Sequence, residues 1–159
     1  MKVLNIHTRK INQPREKILA LMPTLSTKND KIWPQEKWPP MRFKEGLKIG
    51  AKGGHAIIRY SVKELQPNGT VVFQFSQPKG FHGIHKFEIN SISNNTTQIT
   101  HTINMNTSGI STLQWIFAIK HLHDALAEDA LDKIENQFST NKKRSPWNLW
   151  VVFLRKLLK

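Results

Sequence analysis

Residues 97–138, TQITHTINMNTSGISTLQWIFAIKHLHDALAEDALDKIENQF, change their hydrophobic period partway along. Up to Met105, Ile99, His101, Ile103 and Met105 fall on one side of an extended chain and Gln98, Thr100, Thr102 and Asn104 on the other. That pattern is a strand with one buried and one solvated face. Thr107-Ser108-Gly109 interrupts it, and from Ser111 the spacing becomes helical, with Trp115, Ile119, Leu122, Leu126, Ile134 and Phe138 near one side. Ser111 or Thr112 is the expected cap.

Upstream the chain keeps the strand period. HKFEINSI (85–92) reaches the strand just described through Ser93-Asn94-Asn95-Thr96 and forms a hairpin with it. HAIIRYSVKEL (55–65) and TVVFQFS (70–76) flank Gln66-Pro67-Asn68-Gly69, whose Asn-Gly pair accommodates positive φ, and form another. KVLNIHTRKI (2–11) reads as a first strand, and INQPREKILALM (11–22) as a helix with Pro14 in its first turn, Ile18, Leu21 and Met22 on one face, and Pro23 as its stop. Between them and the hairpins, STKNDKIWPQEKWPPMRFKEGLKIGAKGG (26–54) is a long connection in which Trp33-Pro34 and Trp38-Pro39-Pro40 forbid an extended helix. One strand, a short helix, a connection, consecutive antiparallel strands and one long helix make an α+β domain, with a curved sheet gripping the long helix.

A chain of 159 residues is expected to form one such domain and to bury roughly 68–70% of its unfolded surface. With no cysteine, disulfides, thiolate zinc sites and cysteine nucleophiles are excluded, and a reducing compartment is permitted. No apolar run approaches the ~20 residues of a membrane span, and MKVLNIHTRK is polar rather than signal-like, so a cytoplasmic protein is expected. The net charge is +13, but residues 139–159 carry six basic residues and no acidic one, which leaves +7 for the rest. The charge is concentrated in a tail.

This order of elements, with INQPREKILALM, IWPQEKWPPMRF, the strand series from GGHAIIRYSVKEL to GIHKFEI and the helix HLHDALAEDALDKIE, resembles the SRPBCC or START-like helix-grip superfamily over about residues 2–138. It is closest to bacterial members labelled polyketide-cyclase or dehydrase-like. The resemblance implies a cavity between sheet and long helix that takes up sterols, lipids, polyketides or similar metabolites. It carries no catalytic set residue by residue, and fold does not give function.

KGFHGIHKF (79–87) admits three readings. As an RNA-stacking motif it fails, because His82 and Gly83 stand where a small residue and an aromatic belong and Phe87 is one position out of register. As a metal pair, His82 and His85 point to opposite faces of a strand. As a pocket strand it needs only alternation: His85, Phe87 and Ile89 share one face, and a plausible pairing sets them beside His101 and Ile103. The two histidines are then either satisfied in the core or orient a ligand.

The expected ligand-binding set is Trp33 and Trp38 as lid or mouth, Arg42 and Tyr60, Phe73 and Phe75 on the returning strand, His85, Phe87, His101 and Ile103, and Trp115 and Ile119 on the long helix. Of Arg59 and Tyr60, only one points inward. Catalysis has thinner support: His7, His55, His85, His101, Glu88 and Tyr60 have no diagnostic spacing, and Asp124, Glu128 and His121 read as a solvated helix face. There is no phosphate loop, dinucleotide glycine pattern or nucleophile elbow, so no cofactor is expected, nor a metal. Binding of an apolar or amphipathic molecule leads; a cyclase-like enzyme acting on a polycarbonyl or aromatic substrate is the alternative.

SPWNLWVVFLRKLLK (145–159) lies outside the resemblance. With Ser145 as cap and Pro146 in the first turn, a helix places Trp147, Trp150, Val151, Leu154, Leu157 and Leu158 along one side, preceded by Lys142, Lys143 and Arg144. About 21 Å long, it is too short to span a bilayer but suited to an anionic interface, with Trp147, Trp150 and Leu154 as apolar contacts. Docking on its own domain or on a second copy are the other readings. The division is therefore 1–138 as the binding domain and 139–159 as the basic amphipathic tail. Nucleic acid is not an expected partner, and the sequence fixes no oligomeric state.

Overall fold

The period-two segments form one antiparallel sheet in the order β1-β7-β6-β5-β4-β3-β2. Its strands in the computed structural model, which describes residues 1–158, are β1 (Lys2–Ile11), β2 (Arg42–Phe43), β3 (Lys52–His55), β4 (Ile58–Leu65), β5 (Val71–Gln77), β6 (Phe81–Ser93) and β7 (Thr96–Thr107). Lys159, counted with the basic tail, lies outside the described residues. The Asn68-Gly69 turn joins β4 to β5, with Gly69 at φ 86°. Along β7, Ile99, His101, Ile103 and Met105 are buried as the alternation requires. Pairing of His85 with Ile103 and of Phe87 with His101 sets both histidines on the inner face.

HAIIRYSVKEL is not one strand. It breaks at Ala56, where φ is 43°, so that His55 ends β3 and Ile58 begins β4. The preceding glycines allow this: a Cβ on Gly53 would overlap the Arg42 carbonyl and the Phe43 ring, and one on Gly54, at φ 154°, the Ile58 carbonyl. Glycine carries no strand propensity, so β3 leaves little trace in the sequence.

The long helix runs over 110–135, α-helical at Ile110–Gln114, π-helical at Trp115–Ile119 and α-helical at Lys120–Glu135. Neither Ser111 nor Thr112 caps it; Gly109 precedes it at φ 56°, while Ser111 is buried and Thr112 donates to the Thr107 hydroxyl at 3.0 Å. The first helix is shorter than expected, α1 (Arg15–Leu19), followed by a 3-10 turn Met22–Thr24 that contains Pro23.

Polar contacts seat the long helix on β1. Asn5, His7 and Arg9, alternate residues of the strand, face Asp124, Glu128, Asp132 and Glu135, successive turns of the helix. Arg9 donates to Glu128, Asp132 and Glu135 at 2.9, 2.9 and 2.6 Å. Asp124 and Glu128, expected to face solvent, are half of this ladder; their partners lie more than a hundred residues away in sequence, where helix periodicity cannot find them. At the same end of the molecule, Ile18, Ile32, Phe87, Ile89, Ile99 and Ile134 fill the core.

The tail helix spans Leu149–Leu157 and starts later than its Ser-Pro signal suggested. Asn148 is the cap, its side chain accepting the Val151 N–H at 2.8 Å, while the Ser145 N–H is taken by Asp132 of the long helix. Val151 and Leu154 are buried against the domain. No described helix is long and apolar enough to cross a membrane.

Candidate functional site

Between the sheet and the first half of the long helix lies a cavity of about 520 Å³. Phe75, Phe81, His85, His101 and Ile103 form its sheet wall, and Trp115, Ile119, Leu122, His123 and Leu126 its helix wall. Its mouth is framed by Trp33 and residues 35–39, by 55–58, and by Arg155 and Leu158 of the tail. The π-helical turn brings Trp115 to the wall and turns Phe117 outward, so neither side chain fills the space. Asp30 fixes the Trp33 corner: its carboxylate accepts backbone N–H groups of Ser26, Ile32 and Trp33 at 2.7, 2.8 and 2.7 Å. Burial raises the Asp30 pKa, and those bonds pull against the shift.

Inside the polar residues Gln35, Glu36, Lys37 and Arg155 at the mouth, four imidazoles interrupt an apolar lining: His55, His85, His101 and His123. His85 and His101 are 3% and 4% exposed. His85 stacks on Phe73 and Phe75 at 4.6 and 5.0 Å, His101 lies 4.6 Å from Phe87, and His123 is 5.0 Å from His101. His55 shares a 3.0 Å hydrogen bond with the Tyr60 hydroxyl. The Nε2 of His85, the Nδ1 of His101 and both ring nitrogens of His123 are buried with no partner among the described residues. Burial lowers the pKa of all four, helped at each by charge on neighbouring histidines, and takes His55 to about 3. At His123 the Asp124 carboxylate, 3.8 Å from Nδ1 and so beyond hydrogen-bond reach, opposes the shift. Burial and the neighbouring imidazoles keep them neutral at pH 7, each with one N–H to give and one lone pair to accept.

Of the residues expected to bind ligand, Trp33, Trp38, Phe75, His85, His101, Ile103, Trp115 and Ile119 line the cavity. Tyr60, Phe73 and Phe87 stand behind the wall, where Tyr60 and Phe73 pack on His85 and Phe87 on His101. Arg42 is outside it, because on β2 alternation turns Phe43 inward and leaves Arg42 exposed beside Gln35. Tyr60, not Arg59, points inward. His82 is exposed on the face opposite His85. Glu88 pairs with Lys86 at 2.8 Å on the outer face.

Sequence reasoning missed His123, Leu122 and Leu126 as wall residues, and Arg155 and Leu158 at the mouth. His123 had a signal: it falls four residues after Ile119 and three before Leu126, on the stripe already taken as apolar. The tail residues had none, since their place depends on docking. Trp147 is half-buried and packs 5.4 Å from Trp38, and Leu154 is buried, so neither forms the outward face expected of it. Trp150 is on the surface and donates to the Phe117 carbonyl at 2.8 Å. Lys142, Lys143 and Arg144 are exposed, with Lys143 reaching Glu135 at 2.7 Å.

His7, His123 and Asp124 offer ligand atoms within 4.8 Å of one another, the spacing of a metal cluster. Other bonds occupy most of them: His7 contacts Asp124 and Glu128 at 3.1 and 2.8 Å, and Lys120 takes the second Asp124 oxygen at 2.8 Å. Burial would lower the His7 pKa, but its hydrogen bonds to Asp124 and Glu128 prevail and raise it. The pattern is that of an ion-pair network that favours the charged form of the imidazole.

No family model matches the chain, and no curated protein is similar to it in sequence. Solved structures are similar in shape. Norcoclaurine synthase from Thalictrum flavum, solved with dopamine and hydroxybenzaldehyde, superposes with a TM-score of 0.64 at 9% identity over 89% of this chain and 90% of its own. The ZhuI aromatase/cyclase from Streptomyces sp. R1128 gives 0.62 at 11% identity over 88% and 98%. The chain has the START-like helix-grip fold. A conserved protein of unknown function from Enterococcus faecalis gives 0.63 at 10% identity over 99% of this chain and 85% of its own, so that match takes in the tail. At these identities the likeness establishes the helix-grip fold alone.

Proposed function

We propose that the protein binds an apolar or amphipathic small molecule, a lipid, polyketide or similar metabolite, in the cavity between sheet and long helix. The observation that carries this reading is the set of buried, unpartnered nitrogens on His85, His101 and His123 within an apolar wall. An unsatisfied buried polar group costs about 1–3 kcal/mol, and a ligand hydroxyl or carbonyl in the cavity removes that cost. The volume suits a drug-sized molecule with a few polar groups. The test is mass spectrometry of an organic extract of the purified protein beside its native mass. A stoichiometric apolar compound supports a carrier or sensor; a clean apo mass, with no gain in stability from any of a panel of lipids and polyketides, counts against it.

The second reading is a cyclase-like enzyme acting on a polycarbonyl or aromatic substrate. What favours it is that the same imidazoles are neutral, so that each has a lone pair to accept a proton and an N–H to hydrogen-bond a bound oxygen. His85→Ala and His101→Ala separate the two: a binder loses affinity, whereas an enzyme loses turnover while retaining substrate.

A membrane surface completes the proposal. Leu149, Phe153 and Leu157 of the tail and Ile116 and Phe117 of the long helix are exposed, while Lys142, Lys143, Arg144 and Lys156 supply positive charge. Such a combination favours the interface of an anionic bilayer and would set the cavity mouth near it.

A further inference from the structure

The mouth of the cavity holds a cation that has no anionic partner among the described residues. Arg155 projects from the tail helix into the lining, with its guanidinium carbon 4.3 Å from the centre of the Trp38 ring and 5.0 Å from that of Trp147. One of its N–H groups donates to the Lys37 carbonyl. The other charges around it are matched: Lys37 pairs with Asp129, and Glu36, which also lines the mouth, pairs with Lys133 at 2.7 Å. Among the described residues Arg155 forms no ion pair.

We propose that Arg155 is the anion-recognition point of this cavity and that the ligand is a carboxylate-bearing amphiphile. The inference rests on the binding reading above and names the ligand's class. A guanidinium has five N–H donors in a planar fork; one is spent on Lys37, and two indole faces hold the plane. The remaining edge matches a carboxylate, which takes two parallel hydrogen bonds. Apolar surroundings strengthen that pair relative to the same contact in open water. The charge count sets the class: one unmatched cation beside Glu36 suits a single negative charge, while a phosphate monoester would bring two. The apolar body then lies against Trp115, Ile119 and Ile103, and ligand oxygens deeper in the cavity meet the free nitrogens of His85, His101 and His123.

The test compares the fluorescent fatty acid cis-parinaric acid with its methyl ester at pH 7.5, using full-length protein, Arg155→Gln and Arg155→Lys. The wild type is expected to bind the acid about tenfold more tightly than the ester, a difference of ~1.4 kcal/mol. Arg155→Gln should weaken the acid to the level of the ester and leave the ester unchanged, which also shows that the cavity is intact; Arg155→Lys should keep part of the preference. Equal binding of acid and ester by the wild type overturns the assignment while leaving cavity binding in place. So does a preference that survives Arg155→Gln, and so does loss of the ester as well, which would make Arg155 a clamp on the mouth. Binding of neither probe by the wild type would overturn the binding reading and this inference with it.

Discussion

Trp38 and Trp147 donate their indole N–H groups to the same oxygen of Asp129, at 2.8 and 2.9 Å. The second oxygen takes the Lys37 ammonium. Asp129 lies on the long helix, Trp38 in the proline-rich connection and Trp147 just before the tail helix, so one buried carboxylate ties both borders of the cavity mouth to the element that forms its back wall.

Removing that carboxylate should therefore release both borders together. Asp129→Ala strands two indole donors and an ammonium, and is expected to cost about 3 kcal/mol in urea denaturation. Trypsin should then cut faster after Lys142, Lys143 and Arg144. An unchanged midpoint with a protected tail would show that the apolar contacts of Val151 and Leu154 hold the mouth without it.

The unpartnered imidazoles make an opposite prediction. His85→Phe and His101→Phe replace each ring with an apolar one in an aromatic and aliphatic setting, removing a polar group that the protein itself does not satisfy. The ligand-free protein should gain about 1 kcal/mol from each in chemical denaturation, and lose ligand from the organic extract. A loss of stability instead would mean that these nitrogens are satisfied within the fold, and would remove the observation on which the proposed function stands.

The parts read correctly from the sequence are those governed by near neighbours. Ile99, His101, Ile103 and Met105 announce a strand because each is two residues from the next, and Asn68-Gly69 announces a turn because its backbone demands it. What escaped depends on distant partners. Ser145-Pro146 satisfies every local rule for a helix start, yet Asp132 claims the Ser145 N–H and the helix begins after Asn148. Arg155 looked like one more basic residue in a charged tail until docking set it over Trp38, more than a hundred residues away in sequence.

Stability should depend on pH with a definite sign. His55, His85, His101 and His123 have pKa values held below the ordinary 6.5 by burial first and by neighbouring charge second. The unfolded chain takes up protons near pH 6.5 where the folded one does not, so stability falls as pH drops below about 6.5, and for His55 the loss continues to about 3. Each such group contributes up to about 1.4 kcal/mol per pH unit. His7 is raised, so its contribution is complete below about 6.5 and is lost as pH rises through its folded value. Denaturation midpoints should peak between these limits and fall towards pH 5. The double variant His85→Phe/His101→Phe should flatten the acid limb, and a wild-type profile that is flat from pH 7 to 5 would contradict the buried, neutral state of the histidines.

The outward face of the tail gives the last prediction. Phe153 and Leu157 are 47% and 66% exposed, Trp150 stacks on Phe153 at 5.3 Å, and Trp150 is tied through its N–H to Phe117, so the apolar surface of tail and long helix is one patch. If it meets a bilayer, full-length protein should co-sediment with vesicles containing phosphatidylglycerol and less with pure phosphatidylcholine, since each basic residue near an anionic surface contributes about 1 kcal/mol. Phe153→Glu/Leu157→Glu should abolish sedimentation without moving the melting temperature, because neither side chain is packed in the core. A double variant that sediments as well as the wild type would discard the tail as an anchor, and the patch would then be explained by contact with another protein.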